Sequence, residues 1–384
     1  MRMVIMHKYK IRGLFVTHDI RNYGASRSLQ LLLNNYQNVS IDLVTKKMLI
    51  KEDASIEEIK SKFGPYIDKV LQFYLPFDYC YKYKPDATWK LLLFKLANRL
   101  MWTLTKNRFY NFVKQGNYDF IHLNSLVLHP IIKPGQPFFI HIRDIYDGSN
   151  DTALLNVQKA RGVIFIDNAT KDPFRSISLR NSIILNNPFN MTSVAEFDIN
   201  QLMWLKPYVE KRVIFSIIGA VTEKKGVDFI IRNFMKLKSD TATLLVVGSG
   251  DTNGEAYVTK CKKYAMKDSR IVFLGEVEKI EQIYAISDYI LRGEEYQCIG
   301  RTIYEGLYAG CHVIIPADKN QLTSMFEYDK FKNMIFSYPP RNDAALLLLF
   351  ERLSNVKVTE RVFCSNVNAY VQEFHRFVTK SCNE

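Results

Sequence analysis

Short apolar runs alternate with helix-like stretches along almost the whole chain, and this alternation restricts the fold more than any other feature. Continuous apolar runs are typical of strands buried on both faces. Strands that alternate with helices predict an α/β fold with a doubly wound parallel sheet. The predicted strands cover 11–16, 41–45, 70–75, 120–124, 138–142 and 163–166, and then 212–218, 243–247, 271–274, 289–291 and 312–315.

The length of 384 residues exceeds one core of ordinary size, so the sequence predicts two domains. A polar stretch over 190–207 separates two sets of strands that share one rhythm, and we place the boundary there. The prediction is two Rossmann-like domains that face a central cleft, one over 1–200 and the other over 201–363.

The composition, with 47% hydrophobic and 24% charged residues, is that of a folded chain and excludes a disordered one. The six cysteines have no C-x-x-C spacing and no zinc-spaced histidine, which favours a reduced cytoplasmic setting. We expect no signal peptide and no transmembrane segment, because no apolar run reaches the ~18 residues of a spanning helix.

The net charge of +13 is unevenly distributed: residues 1–210 hold 28 Lys/Arg against 18 Asp/Glu. A basic surplus indicates an anionic partner such as a membrane, a nucleic acid or a phosphorylated substrate. We therefore expect that partner to contact the N-terminal half.

The stretch 294–316 predicts a loop, a helix and a buried strand. The loop ends at Gly300, Gly310 supplies the helix stop, and the apolar run 312–315 ends at Pro316. A helix that opens on a glycine presents unpaired N–H groups and the positive end of its dipole, which suit a phosphate. An ordinary turn before a helix is the alternative.

Three side chains at this helix start add to the phosphate-binding hypothesis. Arg301 and Thr302 open the helix, and Arg301 adds a full positive charge. Glu305, one turn later, would place a carboxylate within reach of a sugar hydroxyl. One helix would then hold both a phosphate and a ribose.

The same stretch resembles the donor-binding motif of the retaining glycosyltransferases of the GT-B fold, family 4 in particular. In that family a Glu, seven residues and a second Glu lead into a helix, a Gly, an apolar strand and a Pro. Glu305 stands for the second Glu and Gln297 replaces the first, while Gly300 and Gly310 match. The resemblance implies GT-B architecture, with donor bound by 201–363, acceptor bound by 1–200, and a helix within 364–384 returning to the first domain.

A loop after the first strand resembles the family loop that covers the donor diphosphate. Gly24, Ala25 and Arg27 match its Gly-Gly-Ala-Glu-Arg pattern, whereas Tyr23 and Ser26 replace the first Gly and the Glu. Taken without the resemblance, a single glycine in this place indicates only a turn.

The loop that opens the second domain resembles the family's second diphosphate-binding loop. Lys225 and Gly226 match its Lys-Gly pair, but Ala220 stands where the family has an Arg. Lys224 is the neighbouring cation, and Val277 follows the strand whose edge usually meets the base. Without the resemblance, a solvated turn is the alternative.

Polar side chains follow two predicted strands of the first domain, where ligands of parallel sheets bind. His122 and Asn124 end one strand, and His141, Arg143 and Asp144 end the next. A packing role is the alternative for any one of these histidines. The resemblance singles out His141, because the family has a strand ending in a histidine that reaches the donor sugar.

Residues 82–114 hold eight basic residues and one acidic residue, Asp86. At about 100° per residue, two helix faces separate. One face carries Leu93, Ala97, Leu100 and Leu104, and the other carries Lys95, Arg99, Trp102, Lys106 and Phe109. We expect an anionic membrane surface to contact Lys95, Arg99, Trp102 and Lys106. A solvated face with Trp102 packed inside is the alternative, and no nucleic-acid-binding motif accompanies the basic residues.

The resemblance implies a retaining hexosyltransferase-type enzyme that moves a sugar from a nucleotide-sugar donor to a glycan or lipid-linked acceptor. Bacterial-type surface polysaccharide assembly, at the inner face of a membrane, is the expected setting. Lys225, Arg301 and His141 are the expected catalytic residues, the first two stabilising charge on the departing diphosphate. Neither a metal nor another cofactor is expected. The expected donor contacts are Gly24, Ala25, Lys224, Val277, Gln297, Gly300, Thr302 and Glu305.

Two departures from the family pattern leave a second hypothesis open. Loss of a charge-assisted hydrogen bond at Ala220 is worth ~1.5–3 kcal/mol, or about 10- to 100-fold in donor affinity. Gln297 lacks the negative charge of a Glu. The alternative is a non-catalytic partner protein that binds a nucleotide or a glycan. An NAD-dependent dehydrogenase would need a G-x-G-x-x-G loop after the first strand, and none is present.

Overall fold

The computed structural model describes residues 11–20, 24–37, 39–47, 54–76, 89–146, 148, 151–196, 205, 212–250, 255–295 and 300–380. The chain divides into two compact units. The first unit comprises Met1–Pro188 and Val367–Glu384, and the second unit comprises Phe189–Asn366.

Within the described residues, the first unit contains a seven-stranded sheet of order β3-β2-β1-β4-β5-β6-β7, with parallel pairing throughout. The crossovers place helices on both faces of the sheet, so its central strands are apolar on both sides. The strands are β1 Arg12–Thr17, β2 Ser40–Lys46, β3 Ile67–Phe73, β4 Phe120–Leu123, β5 Phe138–Ile142, β6 Gly162–Phe165 and β7 Ser182–Ile184.

Alternate residues of these strands enter two different apolar clusters. Leu14 and Ile140 belong to one cluster, and their neighbours Phe15 and Phe139 belong to the other. The helices of the first unit are α1 Gly24–Asn35, α2 Ile56–Phe63, α3 Trp89–Gly116, α4 Asp151–Gln158 and α5 Asn168–Lys171, together with the last helix of the chain.

The strands described in the second unit form a six-stranded sheet of order β10-β9-β8-β11-β12-β13, again with parallel pairing. They are β8 Val213–Ile218, β9 Ala242–Val247, β10 Ile271–Gly275, β11 Tyr289–Leu291, β12 His312–Pro316 and β13 Ile335–Tyr338. The helices are α6 Val227–Phe234, α7 Glu255–Ala265, α8 Ile280–Ile286, α9 Arg301–Tyr308, α10 Lys319–Thr323, α11 Tyr328–Phe331 and α12 Asp343–Leu353. Two Rossmann-like parallel-sheet units confirm the predicted α/β fold class.

The local signals around α9 act as the sequence indicated. Gly300 is the N-cap of α9, and the helix ends where Gly310 adopts φ +72°, a left-handed conformation that suits glycine. Strand β12 follows and is buried along most of its length. The start of α9 therefore lies at the carboxyl edge of the second sheet, where ligands bind in such folds.

The last helix, α13 Val367–Lys380, is part of the first unit. Tyr370, Phe374 and Val378 are buried in the same apolar cluster as Phe15 and Leu29. The apolar face of this helix thus stabilises the first unit.

Helix α3 buries the aromatic side chains of the face that the sequence-based hypothesis assigned to a membrane, whereas Arg99 and Lys106 of that face are exposed. Trp102 and Phe109 are 8% and 0% exposed and lie in the core of the first unit, so Trp102 cannot place its ring at a membrane. The opposite face carries Leu100 and Leu104, which are 56% and 67% exposed. Both faces of the helix contain apolar residues. The face with Trp102 and Phe109 is buried because its larger aromatic side chains remove more apolar area from water. Of the helices that the structure describes, none is both long and apolar enough to span a bilayer.

Candidate functional site

The carboxyl edge of the second sheet brings together the loops after β8, β9 and β11. Gly248, after β9, lies against the backbone of Gly219, after β8. A Cβ on Gly226 would overlap the carbonyl of Gly293, so the loops after β8 and β11 touch through their backbones. Gly226 also has φ +60°, which favours glycine. Glycines thus allow the predicted phosphate-binding loops to converge.

Lys225 lies on this edge, with its Nζ 2.7 Å from the position that a Cβ on Gly219 would occupy. It is half-buried, whereas Lys224 beside it is exposed and Ala220 is exposed too. The structure therefore separates the two adjacent lysines. Only Lys225 turns back over the end of β8.

A buried ion pair lies beside the start of α9. Arg292 directly follows β11, and its Nε donates a hydrogen bond of 2.7 Å to Oε1 of Glu294. The two residues are 6% and 2% exposed. Nη1 of Arg292 donates to the Thr302 hydroxyl at 3.1 Å, so the guanidinium links the loop to the first turn of α9. The sequence analysis missed this pair, although a charged residue directly after a buried strand was a visible signal.

Gly300 leaves room for this guanidinium. A Cβ there would lie 2.8 Å from Nη1 of Arg292, closer than real Cβ contacts. Gly300 has no side chain with which to cap α9, so the positive end of the helix dipole and the Arg292 charge share one location. The helix dipole favours an anion there, while the Arg292 charge is already compensated by Glu294.

Glu305 is fully buried, and other side chains engage both of its carboxylate oxygens. The Tyr284 hydroxyl donates to Oε2 at 2.8 Å, and Nε of Arg301 donates to Oε1 at 2.8 Å. The Arg301 guanidinium also lies 5.0 Å from the centre of the Phe189 ring, a cation–π distance. In this structure Arg301 is therefore directed at Glu305 and Phe189.

The remaining predicted donor contacts of this unit are Val277 and Gln297. Val277 is partly buried and packs against the apolar cluster that contains Ile290 and Tyr304. Gln297 lies outside the described residues.

A second group of polar side chains lies at the carboxyl edge of the first sheet. Nε of Arg143 donates to Asn124 at 3.3 Å, and a further N–H donates to Oδ1 of Asn187. The Ser28 hydroxyl, on α1, donates to Oδ1 of Asn187 at 2.8 Å. Asn187 follows β7. The guanidinium therefore connects three loops.

Gly24 and Ala25 form the start of α1 beside this group. The carbonyl of Ala25 accepts a 3.1 Å hydrogen bond from Nδ2 of Asn124. The carbonyl of Gly24 lies 2.8 Å from the Ser28 hydroxyl, whose single proton is shared between this carbonyl and Oδ1 of Asn187. Ser28 is the residue that links α1 to Asn187. The predicted loop is thus held through its backbone to the end of β4.

His141 is fully buried, and Nη2 of Arg143 lies 3.1 Å from its Nδ1. A guanidinium can only donate, so Nδ1 accepts and the ring proton of the neutral form is on Nε2. Burial, the Arg143 charge and His122 hold the pKa of His141 well below its usual value. Burial and the same guanidinium also lower the pKa of His122, whose Nε2 lies 3.4 Å from Nδ1 of His141. The predicted sugar-positioning histidine therefore supports Arg143 in this structure.

The fold of this chain is that of the GT-B glycosyltransferases. HepE of Anabaena, solved with UDP and glucose, has a TM-score of 0.68 with 16% identity over 95% of this chain and 98% of that one. The lipopolysaccharide outer core galactosyltransferase WaaB has a TM-score of 0.59 with 14% identity over 97% and 98%. The predicted resemblance to this class is confirmed.

Within that class, residues 212–320 match the family model for glycosyl transferases group 1. Glycogen synthase of Actinobacillus pleuropneumoniae serotype 5b is 25% identical over 183 residues, which are 45% of this chain and 38% of that protein. The match thus spans less than half the length of the curated relative. The matched family segment contains Lys225, Arg292, Gly300, Arg301 and Glu305.

Proposed function

We propose that this protein is a glycosyltransferase that moves a sugar from a nucleotide-sugar donor to an acceptor with retention of anomeric configuration. One observation carries the proposal: the segment that matches glycosyl transferases group 1 builds the edge where Lys225, Arg292 and the start of α9 converge. A helix start with added cations is what a diphosphate needs.

Arg292 supplies a cation that the family comparison did not foresee. Ala220 lacks the arginine of the family pattern, and Lys224 is exposed. Arg292 lies against Gly300 and is paired with Glu294, so it would offset the missing charge at the diphosphate by exchanging part of that pair for a phosphate oxygen. A charge-assisted hydrogen bond of this kind contributes about 1.5–3 kcal/mol.

Donor binding would require Arg301 to exchange partners. In the proposed complex the Arg301 guanidinium leaves Oε1 of Glu305 for a phosphate oxygen, and the freed carboxylate accepts from the ribose. The exchange conserves one charge-assisted hydrogen bond and adds another. The distance of 2.8 Å between Arg301 and Glu305 shows that both groups are already adjacent.

The chemistry that we propose is mainly electrostatic. Lys225, Arg301 and the α9 dipole would stabilise the negative charge that develops on the departing nucleoside diphosphate. The acceptor hydroxyl would attack on the face that the phosphate leaves and pass its proton to an oxygen of the departing phosphate, which gives retention without a covalent intermediate. The proposal involves no metal, and the described residues contain no cluster of three metal-ligating side chains.

We further propose that the acceptor is a glycan or a lipid-linked glycan of surface polysaccharide assembly. The basic surplus of the N-terminal half supports an anionic surface as a partner, and so do Lys95, Arg99 and Lys106 of α3. WaaB, which shares the fold, acts on the lipopolysaccharide outer core. The working location would be the cytoplasmic face of a membrane.

A non-catalytic nucleotide- or glycan-binding protein is the second candidate, and the closed Arg301–Glu305 pair favours it. A site that never binds a donor has no reason to keep Glu305 accessible, and Glu305 is fully buried. Ala220 adds to this case because it removes a cation of the family pattern.

Thermal unfolding with UDP, GDP, CMP, TDP and NAD tests the proposal. A ligand at 100 times its Kd stabilises by ~2.7 kcal/mol, or roughly 5–10 °C at ~2–4 °C per kcal/mol. We expect one nucleoside diphosphate to shift the wild type but not Lys225→Met, with Lys224→Met as the matched exposed control. Release of that diphosphate from its sugar nucleotide would then separate an enzyme from a binding protein. Failure of all five ligands would overturn the transferase proposal and favour the non-catalytic binding protein, with a glycan as its ligand.

A further inference from the structure

Helix α3 exposes a row of leucines on its outer face. Leu96, Leu100 and Leu104 are 65%, 56% and 67% exposed. A spacing of four residues places them along one side of the helix, over about 12 Å at 1.5 Å per residue. Three neighbouring exposed leucines form an apolar patch that ordinary surfaces rarely carry.

The opposite side fixes how the helix is rotated. Trp102, Phe109 and Val113 are buried in the first unit's core, and Trp102 and Phe109 contact at 5.7 Å between ring centres. Asn98 is 2% exposed, and its Nδ2 donates a 3.1 Å hydrogen bond to the carbonyl of Leu75. The helix cannot turn its leucines inward without losing these contacts.

Basic side chains flank the leucine row on both sides. Relative to Leu100, Arg99 and Lys106 lie about 100–120° to one side and Arg108 about 80° to the other. All three basic side chains are exposed. The sequence of α3 contains six Lys/Arg and no Asp or Glu, so its outer face has a single sign of charge.

We propose that the row of Leu96, Leu100 and Leu104 inserts into the interface of an anionic phospholipid bilayer, with α3 lying parallel to the surface. The leucines would enter the boundary of head groups and acyl chains, and Arg99, Lys106 and Arg108 would meet lipid phosphates. This inference deepens the proposed membrane location and replaces the aromatic face that the sequence suggested.

Charge complementarity selects a lipid surface over a second copy of this chain. A symmetric contact between two α3 helices would bring like charges together, because neither helix offers a carboxylate. An anionic bilayer supplies phosphates on both sides of the row at once.

Vesicle sedimentation tests the inference without any donor. Equimolar phosphatidylcholine and phosphatidylglycerol vesicles are compared with phosphatidylcholine alone. We expect the triple variant Leu96→Gln, Leu100→Gln, Leu104→Gln to lose at least about 10-fold in affinity for the anionic vesicles. Glutamine keeps the helix propensity of leucine, so folding is preserved. Leu348→Gln is the matched control, since Leu348 is 65% exposed on α12.

The charges are tested by Arg99→Gln, Lys106→Gln, Arg108→Gln against Lys262→Gln, Lys263→Gln, Lys267→Gln, which removes three charges from the second unit. We expect each substitution of the first set to lower the affinity for anionic vesicles about fivefold, and the second set to leave that affinity unchanged. Equal binding by wild type and leucine triple variant would overturn the inference. The inference would also be overturned if the wild type formed a dimer and did not bind vesicles, and if the leucine substitutions dissociated that dimer. Nucleotide-induced thermal shifts are measured independently of vesicle binding. Their absence would contradict the transferase proposal without changing the result for the membrane-binding inference.

Discussion

Nε of Arg301 donates a 2.8 Å hydrogen bond to Oε1 of Glu305, one turn later on α9, and the two side chains are 10% and 1% exposed. Arg301, which we expected to bind phosphate, is therefore hydrogen-bonded to the carboxylate of Glu305, which we expected to bind ribose. Arg301 is a built-in partner for Glu305 that a nucleotide would have to displace.

Arg301→Met should lower the free energy of unfolding by about 3 kcal/mol, because it leaves a buried carboxylate without its neighbouring cation. Adding Glu305→Gln should recover part of that loss, since no uncompensated charge then remains. Urea unfolding of both single variants and the double variant gives the coupling energy. Strictly additive losses would show that the two side chains do not interact.

Gly300→Ala tests whether the loop needs space beside Arg292. The added Cβ would lie 2.8 Å from Nη1, and φ of −74° suits alanine, so a loss of about 1–3 kcal/mol would come from this contact together with the poorer N-cap preference of alanine. We expect nucleotide affinity to fall about 10-fold as the guanidinium moves away.

Thr302→Val is the companion variant for Gly300→Ala. It removes the acceptor of the 3.1 Å hydrogen bond from Arg292 without adding bulk at Gly300. If the guanidinium carries the effect, this variant should reproduce part of the affinity loss in nucleotide titrations. An unchanged affinity in both variants would exclude Arg292 from the site.

Local signals in the sequence were sufficient for the elements around the candidate site. Gly300 and Gly310 bracket α9, and the apolar run before Pro316 forms β12, because caps and stops depend on neighbouring residues alone. Strand β13 was not predicted, since its residues are only partly buried at the edge of the sheet and show a weak apolar pattern.

The contacts between loops could not be predicted from the sequence. The Arg292–Glu294 pair is held by a loop that also touches Gly226, and spacing along the chain does not reveal such a convergence. The burial of Trp102 and Phe109 on α3 could not be predicted from the sequence for a related reason. A helix with leucines on one side and Trp102 and Phe109 on the other has two apolar options, and only packing against the sheet decides between them.

The buried histidines predict a loss of stability at mildly acidic pH. The pKa values of His122 and His141 are lowered by burial and by Arg143, so the folded state keeps both rings neutral. The unfolded chain protonates them below about pH 6.5, so stability falls as pH drops through that value. The two rings together should cost up to about 3 kcal/mol at pH 5.5.

Urea unfolding between pH 7.5 and 5.5 measures this dependence, in a range above the usual titration of carboxylates. His122→Gln should reduce the slope below pH 6 by about 1.4 kcal/mol per pH unit, the contribution of one proton. An unchanged slope would mean that His122 is not held neutral in the folded state.

Lys46, the last residue of β2, should titrate far below an ordinary lysine. Burial lowers its pKa to about 8, against a smaller raising effect of Asp19. Because the folded pKa lies below the unfolded one, the unfolded state binds more protons between about pH 8 and 10.4, and stability rises with pH across that window.

Two measurements check the Lys46 titration. Its amine should acylate with a half-maximal rate near pH 8, read by mass spectrometry of single modified lysines, while exposed Lys224 serves as the reference for an accessible amine. Lys46→Met should raise the free energy of unfolding at pH 7 by about 1 kcal/mol, because solvent screens part of the cost of the buried charge. This gain should shrink by pH 10, where the wild-type amine is neutral. A variant that is less stable at both pH values would show that the Lys46 charge stabilises the fold, which would contradict the lowered pKa.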